Sequence, residues 1–265
     1  MAPGSLADHE LLLAGAIMEA VRRCGFCEST DRISREHVFA TWIGPVVGLG
    51  QTGAAIQHAF RTDGLLRGQP WTAQKLDQKV RMACASCNNG WMSQLETKVK
   101  PIITPMIQTV VSVALDFPSQ AAVAAWAIKT AMVSEFLKDQ RQRYFTQAER
   151  QTFMGSRSPA SIAGAHVWLA CYLGGPNTLH CLTAVLTRAE GVAGHVSTTA
   201  IGHFACQVFV DRTTAGLPGV TSMQLGPWEE LLVQIWPPHS PLVKWPSLRG
   251  ADDLGLAKLF RRFSP

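Results

Sequence analysis

Residues 84–92 read CASCNNGWM, and the rest of the chain is organised around this stretch. Two residues separate Cys84 from Cys87, a spacing that lets both sulfurs face one metal ion. The apolar residues that follow recur at helical spacing: Trp91, Met92, Leu95 and Val99. The stretch is therefore predicted to be a zinc-binding turn that opens a helix.

A second CxxC pair, Cys24 and Cys27, lies upstream. Two such pairs commonly build a tetrahedral site, so one structural Zn²⁺ is predicted on four thiolates: Cys24, Cys27, Cys84 and Cys87. The alternative is four unrelated cysteines in a core. The other three of the seven cysteines stand singly in apolar runs, as small buried side chains do: Cys171, Cys181 and Cys206. This usage favours a reducing compartment over a disulfide framework.

Composition sets broad limits on function. The chain has 265 residues, 47% of them apolar and 16% charged, which is typical of a folded protein and excludes a disordered one. A net charge of +5 permits a polyanionic partner without requiring it. We expect no export signal, because acidic residues precede the short N-terminal apolar run, and no membrane partner, because no apolar run reaches about 18 residues. A cytoplasmic location is the resulting expectation.

The N-terminal half is predicted to alternate helix, strand and loop. Helical spacing covers 6–23, a short strand should lie within 32–42, and a strand should lie within 75–82. Between them, 44–69 is glycine-rich and predicted to be a long loop, with a short helix at 54–60 as an option. The helix opened by the second CxxC pair is expected to span 88–100 and to end at Pro101.

The C-terminal half is predicted to combine helices with an antiparallel sheet. A break at 116–119 suggests two units, 1–117 and 118–265. A buried helix should cover 120–138, and Thr146 with Glu149 forms a capping-box pattern. Strand-like and helical runs follow: strands at 166–173, 181–187, 196–210 and 231–236, and a basic tail helix at 252–263. The fold class is therefore predicted to be α+β.

Between the two CxxC pairs lie a carboxylate and an imidazole, Glu36 and His37. The order of the motifs, C24xxC27, then E36-H37, then C84xxC87 followed at once by Asn88, resembles the HNH (ββα-metal) nuclease family. The resemblance covers residues 24 to about 100. It implies two strands and a helix around one catalytic divalent ion, and an endonuclease acting on nucleic acid, with DNA the expected substrate.

The resemblance also implies a role for each matching residue. His37 falls where the family has its general base, and Glu36 where it has a metal ligand. Asn88 falls at the ligand position on the helix, with Asn89 as the alternative ligand. Oxygen ligands suit Mg²⁺ or Mn²⁺. A side-chain oxygen of Asn88 is then expected close enough to Glu36 to share an ion, with His37 facing the same cleft.

Other interpretations stay open. The family's middle asparagine has no clear counterpart, since Gln78 and Lys79 occupy that part of the second strand. The basic residue usual after the second CxxC pair is missing. Asn88 could simply cap the helix, and His37 could sit on a scaffold without activity. The alternative function is therefore a catalytically inactive zinc-binding module that interacts with nucleic acid or protein.

Overall fold

A computed structural model describes residues 22–48, 56–58, 71–73, 78–137, 140, 143–175, 179–188, 191–212, 228, 230–247 and 249–261. The predicted helix at 6–23 lies outside these residues, apart from its last two, and most of the predicted loop at 44–69 lies outside them too.

The described elements alternate helix and strand through the first half and are mainly strands in the second. The helices are α1 (Ile43–Val46), α2 (Ser93–Gln108), α3 (Phe117–Ser134), α4 (Gln147–Ser156) and α5 (Asp253–Arg261). The first strands are β1 (Ile33–His37), β2 (Ile56–His58), β3 (Trp71–Ala73), β4 (Lys79–Cys84) and β5 (Val113–Asp116). The later strands are β6 (Ala165–Cys171), β7 (Leu179–Arg188), β8 (Gly191–Ile201), β9 (Phe204–Asp211), β10 (Val233–Trp236) and β11 (Leu242–Trp245).

Every sheet in the described chain is antiparallel. Five strands form one sheet in the order β10-β6-β9-β8-β7, and three two-stranded sheets pair β1 with β4, β2 with β3, and β5 with β11. The prediction of helices mixed with an antiparallel sheet is confirmed. The run predicted as one strand at 196–210 is two strands, because the chain turns back at Gly202, whose φ is 54°.

The observed strand pairing tests the predictions for two other segments. The optional helix at 54–60 is wrong over Ile56–His58, which forms a strand against Trp71–Ala73. Aromatic and β-branched residues such as Trp71 and Ile56 favour that extended pairing. The predicted strand around His37 is confirmed as β1, which pairs with β4.

Helix α2 continues past the proline that was predicted to end it. Pro101 and Pro105 both lie inside Ser93–Gln108. Each proline removes one backbone hydrogen bond at a cost of about 3 kcal/mol. The opposing gain is burial of a long apolar face at about 1.5–3 kcal/mol per side chain, here Leu95, Val99, Ile103, Met106 and Ile107. Tertiary packing therefore outweighs the local preference.

The predicted buried helix is confirmed as α3, which starts at an N-cap carboxylate, Asp116, that accepts the backbone N–H of Ser119. Nearly every α3 side chain is buried, and Trp126 is fully so. The same hydrophobic core includes Ile103 of α2 and Leu169 of β6. The predicted capping box at Thr146 and Glu149 is also confirmed, at the start of α4.

No helix in the described part of the chain is both long enough and apolar enough to cross a membrane.

Candidate metal centre and strand face

Four thiols converge where the two CxxC pairs meet. The ligand atoms of Cys24, Cys27, Cys84 and Cys87 all lie within 4.8 Å of one another. The first pair comes from the turn before β1, and the second pair stands at the end of β4 and in the helical turn Ala85–Cys87. The four cysteines are close enough to hold a metal ion, and all seven cysteines of the chain are free thiols.

The spacing of the thiols fits zinc. A tetrahedral site with Zn–S distances of about 2.3 Å has S···S edges of about 3.8 Å, and the Cys27 and Cys84 sulfurs are 3.6 Å apart. Backbone amides support the sulfurs: the N–H of Cys84 donates to Cys24 Sγ at 3.3 Å, and that of Cys87 donates to Cys84 Sγ at 3.5 Å. Burial and the negative charge of the Cys24 thiolate raise the pKa of the Cys87 thiol, which favours its neutral form. A bound cation would be needed to stabilise four thiolates so close together.

A backbone hydrogen bond joins the first CxxC turn directly to β4. The backbone N–H of Gly25 donates to the Met82 carbonyl at 2.6 Å. A Cβ at Gly25 would lie 2.6 Å from the ring of Phe136, so a side chain does not fit there. The glycine inside this CxxC pair is therefore a packing requirement that brings Cys24 to the level of Cys84.

Helix α4 covers the same turn from the other side, a contact that sequence patterns did not indicate. The guanidinium of Arg150 donates from Nε to the Gly25 carbonyl at 2.8 Å and from Nη1 to the Phe145 carbonyl at 2.5 Å. Arg150 is only 7% exposed. The sulfur of Met154, also on α4, lies 3.7 Å from Cys87 Sγ. The C-terminal half of the chain thus helps to hold the metal centre.

Alanine at Arg150 is expected to lower the free energy of unfolding by about 2–3 kcal/mol, because it leaves buried carbonyls without a donor. It should also speed the transfer of zinc to a chromophoric chelator, since the carbonyl of Gly25 loses its anchor. Gln151→Ala is the matched control, because Gln151 is on the same helix but makes an exposed hydrogen bond. Equal zinc release from both variants would show that Arg150 does not support the centre.

Trp91 belongs to the core beside this site. Its ring packs edge-on against Phe26 at 4.9 Å and against Phe153 at 6.0 Å between centroids. It is 5% exposed. Trp91 is therefore a core residue, and its buried ring is not exposed as a platform on which a base could stack.

The β1–β4 pair has two chemically different faces. Arg35 lies opposite Arg81 and His37 lies opposite Lys79, so these four side chains share the outer face. The three cationic chains are exposed, and His37 is half-buried. Glu36 points the other way, as adjacent residues of a strand do. His37 is the last residue of β1, so the strand ends where the two predicted site residues stand.

The inward carboxylate of Glu36 lies in a buried electrostatic cluster. Glu36 is 6% exposed, opposite Val80 of β4. Desolvation raises its pKa to about 7, the charge of Lys129 acts to lower it, and the charge of Glu96 acts to raise it. Lys129, from α3, is fully buried and donates to Glu96 of α2 at 2.7 Å. Sequence patterns did not indicate this partner, because it lies far along the chain.

The raised pKa of Glu36 predicts a pH-dependent stability. Because its folded pKa of about 7 exceeds its ordinary value of 4.5, the folded state holds the proton more tightly. The associated stability is present below about pH 4.5 and is lost as pH rises to about 7, a loss of about 3 kcal/mol. In buffer without added divalent ions, Glu36→Gln should remove this slope and be more stable than wild type at pH 8.

Urea unfolding at several pH values measures this effect, with exposed Glu230→Gln as the control that keeps the wild-type slope. Mn²⁺ should flatten the wild-type slope if Glu36 binds it, because a metal ligand must be deprotonated. An unchanged slope in Glu36→Gln would refute the assignment of this titration to Glu36.

Asn88 contacts β1 from the helical segment Asn88–Met92, which precedes α2 and is interrupted by the non-helical backbone of Gly90. Its Nδ2 donates to Ser34 Oγ at 3.2 Å, and that hydroxyl donates to the Ala83 carbonyl at 3.0 Å. Ser34 stands two residues before Glu36 on the same strand. Within the described chain Asn88 Oδ1 has no hydrogen-bond donor. The capping role belongs instead to Cys84, whose sulfur accepts the N–H of Cys87.

Asn88 therefore reaches β1 at Ser34, and the register between β1 and β4 shifts between Ser34 and Arg35, before Glu36. His37 faces the opposite side of the strand from Glu36. A shared ion between Asn88 and Glu36 stays a prediction. Asn89, the alternative ligand, is exposed and lines a cavity beside Arg35.

The cationic outer face was not predicted from the sequence, although the sequence contains a pattern that indicates it. Basic residues alternate with others in both strands, at Arg35 and His37 and again at Lys79 and Arg81. Alternation with period two places them on one face of each strand. That the two faces coincide depends on the register between β1 and β4, which cannot be read from either segment alone.

Comparison of the chain with family models, with curated proteins and with solved structures found no match. The resemblance to HNH nucleases therefore rests on the sequence motifs alone and stays a prediction.

Proposed function

We propose that this protein is a metal-dependent endonuclease that hydrolyses phosphodiester bonds, with DNA as the first substrate to test. One observation carries the proposal: His37 ends β1 on the face that also carries Arg35, Lys79 and Arg81, at the end of the strand away from the four-cysteine cluster. An imidazole among exposed cations suits a reaction in which a polyanion binds and a proton is removed near neutral pH.

In this proposal, His37 accepts a proton from the attacking water. The water oxygen forms a bond to phosphorus, and the bond from phosphorus to the leaving ester oxygen breaks. Arg35 and Arg81 lie on the same face and attract the phosphate backbone. The thiolates of the zinc centre take no part in the chemistry and hold β1 against the helix.

Glu36 and Asn88 are the residues that would hold Mg²⁺ or Mn²⁺. Both offer oxygen ligands, and Asn88 Oδ1 has no hydrogen-bond donor within the described chain. Such an ion, when bound, would neutralise charge on the phosphate and the leaving oxygen where the end of β1 brings it to the phosphate, because Glu36 and His37 face opposite sides of the strand. Binding requires Glu36 to be ionised, which its burial opposes and the nearby charge of Lys129 favours.

A second candidate is a nucleic-acid-binding module without catalytic activity. It is favoured by Lys129, whose ammonium group already supplies a positive charge near Glu36. The same ammonium group forms an ion pair with Glu96 at 2.7 Å. In that case the outer face of β1 and β4 binds nucleic acid, and Glu36 is a buried structural carboxylate.

Nicking of a supercoiled plasmid separates the two candidates. Zinc-loaded protein should convert supercoiled plasmid to open circle with added Mg²⁺ or Mn²⁺ and should not do so in EDTA under conditions that leave zinc bound. Restoration of nicking by Mg²⁺ alone supports separate roles for the two metals, a structural one for Zn²⁺ and a catalytic one for Mg²⁺. Activity restored only by Zn²⁺ would contradict that division, and tight binding without nicking under any metal would support the inactive module.

A further inference from the structure

A cavity of about 650 Å³ opens beside the second CxxC pair, between the start of β1 and Arg81 of β4. We infer that it binds a backbone phosphate of the nucleic acid next to the phosphate that His37 serves. The inference rests on the proposed function and adds to it a binding site for the flanking part of the substrate. The polar side chains lining the cavity are Arg32, Ser34, Arg35, Arg81 and Asn89.

The first argument is the charge of the lining. Arg35 and Arg81 are direct cross-strand partners, and like charges in that position destabilise a sheet. Arg32 adds a third guanidinium, and among the described residues no acidic one lines the cavity. Within the described chain none of the three guanidinium groups forms a hydrogen bond or an ion pair. Three such groups on one cavity are unfavourable without an anion to balance them.

The second argument is the chemistry of the donors. Guanidinium groups bind phosphate oxygens through paired N–H donors, a geometry that suits phosphate better than a single point charge would. The exposed amide of Asn89 can add a further donor. The apolar part of the described lining is Ile33 and Ala85, and none of the lining residues that the structure describes has an aromatic ring on which a base could stack. The site therefore suits a backbone phosphate and not a nucleobase.

The third argument is position. Arg35 and His37 are two residues apart on the same face of β1, which places them about 6.6 Å apart along the strand. This is close to the separation of successive phosphates in an extended nucleic-acid strand. A strand lying along β1 would then present one phosphate to His37 and its neighbour to the arginines. Because no base is read in the cavity, binding there should be independent of sequence.

Binding of a fluorescent oligonucleotide, measured by anisotropy over a range of salt concentrations, tests the inference. Arg35→Gln/Arg81→Gln should weaken binding roughly 50-fold at 0.1 M salt and reduce the slope of log K against log salt by about two. The matched control is Lys98→Gln/Lys244→Gln, which removes two exposed positive charges elsewhere, one of them on a strand. The control should retain most of the affinity and nearly all of the slope.

Thermal unfolding provides a readout that a structural role would not give. The arginine double variant should be as stable as wild type or more so, because like charges opposite each other are removed. Equal loss of affinity in both double variants, or an unchanged salt slope in the arginine variant, would overturn the inference. Equal binding of polyglutamate and of the oligonucleotide, or binding of inorganic phosphate without any binding of oligonucleotides, would overturn it too.

The outcome is separable from that of the proposed function. Loss of oligonucleotide affinity in the arginine variant, in a protein that never nicks plasmid, supports the phosphate site while the nuclease proposal fails. Nicking with an unchanged KM in the arginine variant removes the phosphate site while the nuclease proposal stands.

Discussion

Serine at Cys84 is expected to abolish metal binding and to unfold the N-terminal part of the chain. The four sulfurs come from segments on either side of the β1–β4 pair, so the metal closes a long loop. Structural zinc contributes about 10 kcal/mol or more to folding in small zinc domains. That is comparable with the whole stability of a typical domain, about 5–15 kcal/mol. Cys84 should be the most sensitive position, because its sulfur also accepts the backbone N–H of Cys87.

Elemental analysis and hydrogen exchange measure this result. Wild type should carry one zinc per chain with protected amides in β1 and β4, and Cys84→Ser should carry none and lose that protection. Cys171→Ser is the control, since Cys171 is equally buried but stands alone in β6. It should keep the metal and lower stability by only about 1–3 kcal/mol, the cost of a buried hydroxyl. Full zinc content in Cys84→Ser would contradict the four-cysteine centre.

Alanine at His37 is expected to reduce the rate of plasmid cleavage by about 10²- to 10⁴-fold, the usual contribution of a general base. The Kd for DNA should change less than about threefold, because phosphate contacts supply most of the affinity. The expected effect is therefore on kcat and not on KM. Single-turnover cleavage with saturating protein isolates the chemical step.

His239→Ala is the control for this change, because His239 is exposed and lies away from β1. It should cleave at the wild-type rate. Wild-type cleavage by His37→Ala would remove this residue from the mechanism. A loss of cleavage in proportion to a loss of zinc would show that the substitution acts through the fold, so zinc content should be measured on the same samples.

The convergence of the four cysteines was predictable because its signal is local. Each CxxC pair sets the direction of its two sulfurs within four residues, and only the meeting of the pairs had to be inferred. The end of α2 was not predictable from the same kind of evidence. Pro101 is a strong local stop, and its effect is overcome by burial against distant residues such as those of α3.

The candidate site was predictable only in part, for the same reason. Adjacent positions in a strand already imply that Glu36 and His37 face opposite sides. What surrounds each of them depends on long-range contacts. Lys129 reaches the neighbourhood of Glu36 from α3, and Arg150 reaches the first CxxC turn from α4. Neither of these two long-range contacts produces a periodic or regularly spaced pattern in the sequence.

The register between β1 and β4 has the largest consequence for the proposed site. It sets Arg35 opposite Arg81 and His37 opposite Lys79, which produces the cationic face. A shift of one residue would move the basic side chains of one strand to the buried side. The register is in turn held by the two CxxC pairs, which fix the ends of both strands near one point. The four-cysteine centre is thus the feature on which the rest depends.

X-ray absorption at the zinc edge on purified wild-type protein tests that centre most directly. The predicted result is one zinc per chain with four sulfur neighbours at about 2.3 Å and no nitrogen or oxygen in the first shell. A shell of mixed sulfur and nitrogen or oxygen ligands, or protein that purifies folded without zinc, would contradict it.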